Sequence, residues 1–132
     1  MSKWLNSLQP WGALLMRLLL SASMLYHGYD KVFPHAALTH WAHYVTTLGL
    51  PAWLGYVSAF TEVIGGVLLL LGLFTRLAAA FVAINMYVAF ATVGIHQGFD
   101  KYTSILALAV IATMLLFYGA GALGLDRKIG FA

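Results

Sequence analysis

The sequence has no cysteine and few charged side chains. Its 132 residues include 7 basic and 4 acidic ones, or 8% of the chain, whereas about a quarter of a soluble domain is charged. Without cysteine, disulfides, thiolate chemistry and iron–sulfur clusters are excluded. The net charge of +3 is small and scattered along the chain, which argues against nucleic acid as a partner.

Hydrophobic residues make up 62% of the chain, and the mean hydropathy is +0.88. They form four blocks, at about residues 11–27, 53–74, 77–95 and 102–119, separated by short polar breaks. Blocks of about 20 apolar residues match a ~30 Å hydrocarbon core at ~1.5 Å per residue. We therefore predict an all-α integral membrane four-helix bundle that forms a single domain over residues 1–132.

The longest polar break lies between the first two blocks and contains a second helical pattern. Residues 39–50 carry Trp41 and Tyr44 at helical spacing, which predicts a short interfacial helix in the first outer loop. The first block could instead be the core of a cleaved signal peptide, but such a core is free of charge and this block contains Arg17.

Basic residues near the ends of the blocks indicate orientation. The positive-inside rule places both termini in the cytoplasm, with four basic residues on that side and two on the other (Lys3, Arg76, Arg127 and Lys128 against Lys31 and Lys101). Arg76 lies at the short turn between the second and third spans, where it would fix topology and cap the hairpin. Gly65, Gly66 and Gly72 would allow neighbouring helices to approach closely.

Polar residues inside the spans are the candidate functional groups. Glu62, near the middle of the second span, costs ~3 kcal/mol at that depth, while the apolar residues around it return ~4–6 kcal/mol, so the helix can insert if the carboxylate faces protein or water. Counting ~1.5 Å per residue from the predicted span ends puts Arg17 and Asn85 within a few Å of the depth of Glu62. His27, Lys31 and His96 follow toward the outer surface.

Two interpretations of this polar stripe stay open. Arg17 and Glu62 could form a purely structural pair, or the stripe could line a cavity for a small polar headgroup. His40 and His43 have a spacing that could bind a metal, but no carboxylate or cysteine accompanies them, so we predict no metal site. His27 and His96 could be haem ligands, although they lie near the surface, or hydrogen-bond and proton-transfer groups for a ligand.

The sequence resembles the DoxX family of small bacterial and archaeal membrane proteins. The resemblance is carried, in order, by Arg17, by HGYDK from His27, by Leu50-Pro51, by Glu62 followed by two glycines, and by GLFTR from Gly72. It implies a four-helix membrane bundle. It also suggests a link to quinone, sulfur or oxidative-stress metabolism, because the family includes the membrane subunit of a thiosulfate:quinone oxidoreductase.

The function hypothesis combines the stripe with the resemblance. The chain would bind a quinone-like amphiphilic redox molecule in the outer half of the bundle and serve a partner oxidoreductase, with no covalently bound cofactor. The pocket candidates are His27, Lys31, Glu62, Arg17, Asn85 and His96. Its setting would be the cytoplasmic (inner) membrane, where a homo-oligomer is possible; whether the chain is itself an enzyme stays open. The alternatives are a non-enzymatic scaffold that docks a redox enzyme and a small permease.

Overall fold

The computed structural model describes residues 2–33 and 36–130, without the side chain of Ile95. The chain is 84% helical, and its described part contains no strand, so the predicted all-α class is confirmed. In chain order the described helices are α1 (Ser2–Ser7), α2 (Gln9–Val32), α3 (Ala37–Thr47), α4 (Ala52–Leu71), α5 (Thr75–Thr92), a 3-10 turn (Gly94–His96), α6 (Phe99–Tyr118) and α7 (Leu125–Ile129).

The ends of the second span follow from local backbone chemistry. Pro51 is the N-cap of α4 in an extended conformation, where a missing N–H costs nothing. Gly72 ends the helix at φ +67°, and its N–H donates to the carbonyls of Leu68 and Leu69. Only two residues separate Gly72 from the start of α5 at Thr75, so α4 and α5 form an antiparallel hairpin.

The four long helices pack as two pairs. Helix α2 lies along α4 and α5 lies along α6, while contacts of α4 with α5 and of α2 with α6 join the pairs. The shared core consists of aliphatic, methionine and alanine side chains from α2, α4, α5 and α6 (among them Leu20, Met24, Leu69, Val82 and Leu115). Many other apolar side chains point outward, as expected of helices that face lipid.

Three of these helices, α4, α5 and α6, are long and apolar enough to cross a membrane. Helix α2 has 24 residues, which is also long enough, but Arg17 and the polar residues near its end make it less apolar. The protein is therefore a membrane protein with three clear candidate spans. A fourth span through α2 stays a prediction.

Glycines set the register between α2 and α4. A methyl group on Gly28 would lie 2.9 Å from Cβ of Glu62, and one on Gly66 would lie 2.8 Å from Cγ of Leu25. Helix α2 also continues through Gly28 to Val32, past the first predicted block, which ends at about residue 27. The missing side chain of Gly28 allows the backbones of α2 and α4 to approach closely.

The predicted short helix of the first loop is present as α3. It packs on α4, where Gly55 approaches the backbone of Ala42 so closely that a methyl group would lie 2.8 Å from its Cα. Ala42 and Val45 are the buried residues of this helix. Helix α3 therefore covers the half of α4 that begins at Ala52 and is part of the packed fold.

Candidate functional site

Lys31 and Glu62 form an ion pair between α2 and α4. Nζ of Lys31 donates to both carboxylate oxygens of Glu62, at 2.7 and 2.9 Å. Glu62 is only 2% exposed, whereas the Lys31 side chain is 20% exposed. The carboxylate that must avoid lipid thus has a bidentate cationic partner, supplied by the last turn of α2.

Helices α4 and α5 extend this pair into a polar chain. Nδ2 of Asn85 donates to Oε1 of Glu62 at 3.4 Å, and Oγ of Ser58 donates to Oδ1 of Asn85 at 2.5 Å. Ser58 precedes Glu62 by four residues, so both lie on one face of α4. The structure therefore brings together three of the predicted pocket residues, namely Lys31, Glu62 and Asn85.

Trp41 of α3 completes the group. Nζ of Lys31 lies 3.9 Å from the centroid of the indole ring, a cation–π contact. The indole Nε1 is buried and has no hydrogen-bond partner among the described residues. We expected Trp41 to anchor α3 at the membrane surface. Because α3 packs on α4, the indole ring of Trp41 instead faces the polar group around Lys31 and Glu62. Trp41 is therefore a site residue that the sequence did not predict.

A cavity of about 180 Å³ opens beside this group. Its polar wall contains Lys31, Trp41, Ser58, Glu62 and Asn85, and its remaining wall is mostly aliphatic and aromatic (Val45, Leu48, Leu50, Leu54, Val57, Thr61, Phe81, Ile84, Val88, Ala89, Thr92 and Val93). We call this the head cavity. It lies between α3, α4 and α5, in the half of α4 that α3 covers.

A second cavity, of about 540 Å³, also adjoins the ion pair. Lys31, Trp41 and Glu62 line both cavities. The second cavity is also lined by His27, and by Asp100, Lys101 and Ser104 at the start of α6. His27 is exposed, and its Nδ1 lies 2.8 Å from the carbonyl oxygen of Ser23. His27 is thus a neighbour of the ion pair on its more polar side.

Arg17 does not join this site, and the predicted layer shared with Glu62 is wrong. Nη1 of Arg17 donates to the carbonyls of Ala120 and Ala122, at 2.7 and 3.3 Å. A methyl group on Gly72 would lie 2.7 Å from this same Nη1, so Arg17 is level with the far end of α4. Ten residues separate Gly72 from Glu62 on that helix, which is about 15 Å.

The predicted depth of Arg17 is wrong because it assumes that the first two spans begin and end at the same height in the membrane. The register set by Gly28 and Gly66 instead lets the start of α2 project past the end of α4. The C-terminal loop covers this projection, because the N–H of Ala122 donates to the carbonyl of Pro10 at 2.9 Å.

Asp126 is a buried acid that the sequence reasoning did not single out. Its carboxylate accepts hydrogen bonds from the backbone N–H of Phe74, at 2.6 Å, and of Thr75, at 2.8 Å. Backbone N–H groups at the start of a helix have no acceptor within that helix, so Asp126 caps α5 from the distant C-terminal segment. The signal was present: Asp126 is one of only four acids, and it stands in an otherwise basic tail.

The remaining predicted residues occupy other places. His96 is exposed on the 3-10 turn and lines neither of the two cavities. Arg76 donates from Nη2 to the carbonyl of Tyr118 at 3.3 Å, next to the turn that it was expected to cap. His40 and His43 are exposed on α3, and the described residues contain no cluster of three or more potential metal ligands.

Comparison with known proteins identifies the class of this membrane protein. The DoxX family model matches residues 12–97, and the chain belongs to this family. The chain is also 32% identical over 88 residues to a protein of Bacillus subtilis (strain 168) named "Putative oxidoreductase CatD". The aligned region covers 67% of this chain and 63% of that protein, which is less than two thirds of the relative's length. No solved structure matches this chain.

Proposed function

We propose that this chain binds a quinone-like amphiphilic redox molecule whose headgroup occupies the head cavity. The observation that carries the proposal is the buried Nε1 of Trp41, which has no hydrogen-bond partner among the described residues and belongs to a side chain that lines the head cavity beside the cation of Lys31. Buried polar groups normally have hydrogen-bond partners, so an unpaired donor on a cavity-lining side chain suggests an acceptor supplied by a ligand.

The cavity fits a small ring with acceptor oxygens. Its 180 Å³ is comparable to the ~150 Å³ engineered cavity that holds benzene in another protein. Glu62 already accepts hydrogen bonds from Lys31 and Asn85, and both donors have a further N–H group. Lys31 has three N–H groups and uses two on Glu62, and Asn85 has a second N–H beyond the one it uses. Carbonyl oxygens complement this set.

The residues around the headgroup would hold and orient it, and would supply protons. When bound, a quinone supplies the capacity to accept electrons and protons. Lys31 and Glu62 line both the head cavity and the second cavity, and His27 and Asp100 also line the second one. A proton could therefore reach the ion pair from the polar side while the headgroup stays on the apolar side.

The electrons would come from a partner oxidoreductase. The sequence has no cysteine, and the described residues contain no cluster of metal ligands to carry electrons. The oxidoreductase in the name of the Bacillus relative supports a redox setting. We place the protein in the cytoplasmic membrane with both termini inside and α2 as a fourth span, because the basic residues of the α4–α5 turn and of α7 lie at one end of the bundle.

A scaffold without a ligand is the second candidate function. It is favoured by the pairing of Glu62, since a carboxylate with a bidentate lysine needs no further partner. In this case the ion pair would only hold α2 against α4, and the protein would dock a redox enzyme. The two functions differ in the role of the indole N–H of Trp41.

Trp41→Phe tests the proposal, with Trp53→Phe as its matched control. Both changes remove an indole N–H and keep an aromatic ring. Trp53 lies at the start of α4, near α3, but its side chain is 63% exposed. The measured quantity is the dissociation constant of a labelled tail-less benzoquinone in nanodiscs. We expect about a fivefold loss for Trp41→Phe, the worth of one neutral hydrogen bond, and no change for Trp53→Phe. No binding by any of the three proteins would support the scaffold, and equal binding by all three would contradict the hydrogen bond from Trp41 to the ligand.

A further inference from the structure

The second cavity is the larger of the two spaces beside the ion pair of Lys31 and Glu62. Its volume of about 540 Å³ has room for on the order of ten water molecules, each of which takes ~30 Å³ in the liquid. Helix α2 contributes Met24, His27 and Lys31 to the wall, and their spacing of three and four residues places them on one face of that helix. The beginning of α6 forms another part of the wall.

His27 lies near the middle of the bundle along the direction of α4. It precedes Gly28, where an added methyl group would lie 2.9 Å from Cβ of Glu62. Glu62 follows the start of α4 at Ala52 by ten residues and precedes its end at Leu71 by nine, which is about 15 and 13 Å. Because α4 is long and apolar enough to cross a membrane, His27 lies at a depth that lipid tails occupy outside the protein.

The side chains of α2 at this depth are sorted by polarity. His27 is exposed and lines the second cavity, whereas its neighbour Tyr26 is 72% exposed and is not part of that lining. Polar and ionisable side chains within a membrane face protein or water, because hydrocarbon offers them no hydrogen bonds. The exposed surface of His27 therefore requires that the second cavity contain water and not lipid tails.

The two ends of the second cavity differ in chemistry. At one end Asp100 and Lys101 lie in the first turn of α6 and are exposed. Toward the other end the lining is apolar, with Met24 fully buried and Met86 only 7% exposed. Farther along α2 in that direction, Arg17 donates to carbonyls of the loop after α6 and so ties the two helices together. The cavity is therefore open where α6 begins, at the end of the bundle opposite the basic α4–α5 turn.

We infer that the second cavity is an aqueous vestibule open to the outer face of the membrane, and that protons reach the bound headgroup from that face. The inference rests on the proposed function, which places the headgroup in the head cavity and both termini in the cytoplasm. One proton accompanies each electron when a quinone is reduced to a hydroquinone, so the partner oxidoreductase supplies the electrons and the outer water supplies the protons.

The ion pair is the step between this water and the headgroup, since Lys31 and Glu62 line both cavities. Proton transfer through a positioned side chain needs a group within hydrogen-bond reach on each side, and a lysine paired with a carboxylate offers both a donor and an acceptor. The titratable side chains that line the second cavity are those of His27, Lys31, Tyr44, Glu62, Asp100 and Lys101.

Two adjacent cysteine substitutions test the inference in a chain that has no cysteine of its own. His27→Cys places a thiol in the second cavity. Tyr26→Cys is the matched control, since it places a thiol at nearly the same depth but outside the lining of that cavity. Sealed right-side-out membrane vesicles are treated with a membrane-impermeant trimethylammonium methanethiosulfonate. The measured quantity is the rate of thiol modification, with the pH set separately on the two sides, and thermal unfolding checks that both variants are folded.

We expect His27→Cys to react at least about tenfold faster than Tyr26→Cys, because the reagent and the reactive thiolate are both charged and hydrocarbon excludes them. Raising the outer pH by one unit should speed the reaction of His27→Cys by about five- to tenfold, since a larger fraction of the thiol is then ionised. Raising the inner pH should leave the rate unchanged.

Slow reaction of both variants would show that the second cavity is dry and would overturn the inference, while the binding of benzoquinone in the head cavity is measured without it. A rate that follows the inner pH would overturn the direction of proton entry. Rapid reaction of both variants would show that α2 does not lie in the bilayer, so the membrane placement within the proposed function would fail and the inference with it.

Discussion

The ion pair of Lys31 and Glu62 allows a quantitative test of what holds α2 against α4. Lys31→Met would leave the carboxylate of Glu62 at 2% exposure, with the long 3.4 Å contact to Asn85 as its remaining side-chain hydrogen bond. Breaking a buried pair from one side costs ~3–5 kcal/mol. Because the lysine is one fifth exposed, solvent weakens the pair, and we expect the free energy of unfolding to fall by ~3 kcal/mol.

Removing the acid in place of the lysine should lower the free energy of unfolding by less. In Glu62→Leu the lysine keeps its contact with the ring of Trp41 and can extend its ammonium group toward water, so we expect a loss of ~1–2 kcal/mol. The double variant, Lys31→Met with Glu62→Leu, leaves no buried charge at this site and keeps a similar side-chain volume. It should lie within ~1 kcal/mol of the unmodified protein, apart from the lost acceptor of Asn85.

The assay is reversible unfolding in mixed micelles, followed by far-ultraviolet circular dichroism as the denaturing detergent is increased. The exposed Lys101 supplies the control, since Lys101→Met removes a surface charge and should change stability by less than ~0.5 kcal/mol. These losses imply a coupling energy of at least ~3 kcal/mol between the two sites. Additive losses in the double variant, or a larger loss for Glu62→Leu than for Lys31→Met, would refute it.

Three further predictions concern close packing and capping, each measured by the same unfolding assay. Asp126→Asn should cost ~1–2 kcal/mol because it weakens the cap of α5, whereas Asp100→Asn, at an exposed position, should cost little; equal effects would contradict the cap. Gly72→Ala should lower the free energy of unfolding by at least ~2 kcal/mol, because Gly72 has a positive φ and an added methyl group would lie 2.6–2.7 Å from its neighbours. Gly12 lies within α2 with open space around it, so Gly12→Ala should raise the free energy of unfolding by ~0.5–1 kcal/mol. Gly28→Ala should push α2 off α4 and cost ~2 kcal/mol, and an unchanged stability would show that the two helices are not locked in this register.

The class of fold could be predicted from the sequence because it depends on composition and on local signals. Long apolar blocks with short breaks have few solutions in a membrane, and Gly72 and Pro51 mark helix ends by their own backbone chemistry. The short helix α3 followed from its periodicity in the same way. None of these features requires knowledge of which residues meet across the bundle.

The partners of the charged groups could not be predicted, because they depend on the register between helices. Glu62 needed a cation, and the sequence offered both Arg17 and Lys31. Gly28 determines which of the two cations pairs with Glu62. Its missing side chain allows the last turn of α2 to lie beside Glu62, which leaves Arg17 about 15 Å away. Arg17 instead donates to the loop after α6, a contact across more than 100 residues that no local pattern indicates. Asp126 accepts from the start of α5, which is also distant in the sequence.

The same register accounts for the existence of the head cavity. Beyond the contact of Gly28 with Glu62, α2 continues for four residues, to Val32, while α4 continues for ten, to Ala52. Helix α4 therefore extends about 9 Å past the end of α2, and α3 occupies part of the space left beside it. Since α3 is short and packs on α4 through small residues, it does not fill that space, and Trp41 closes it over the ion pair. The end of α2 at Val32 therefore leaves the ion pair of Lys31 and Glu62 in the wall of the head cavity, where a longer α2 would cover it.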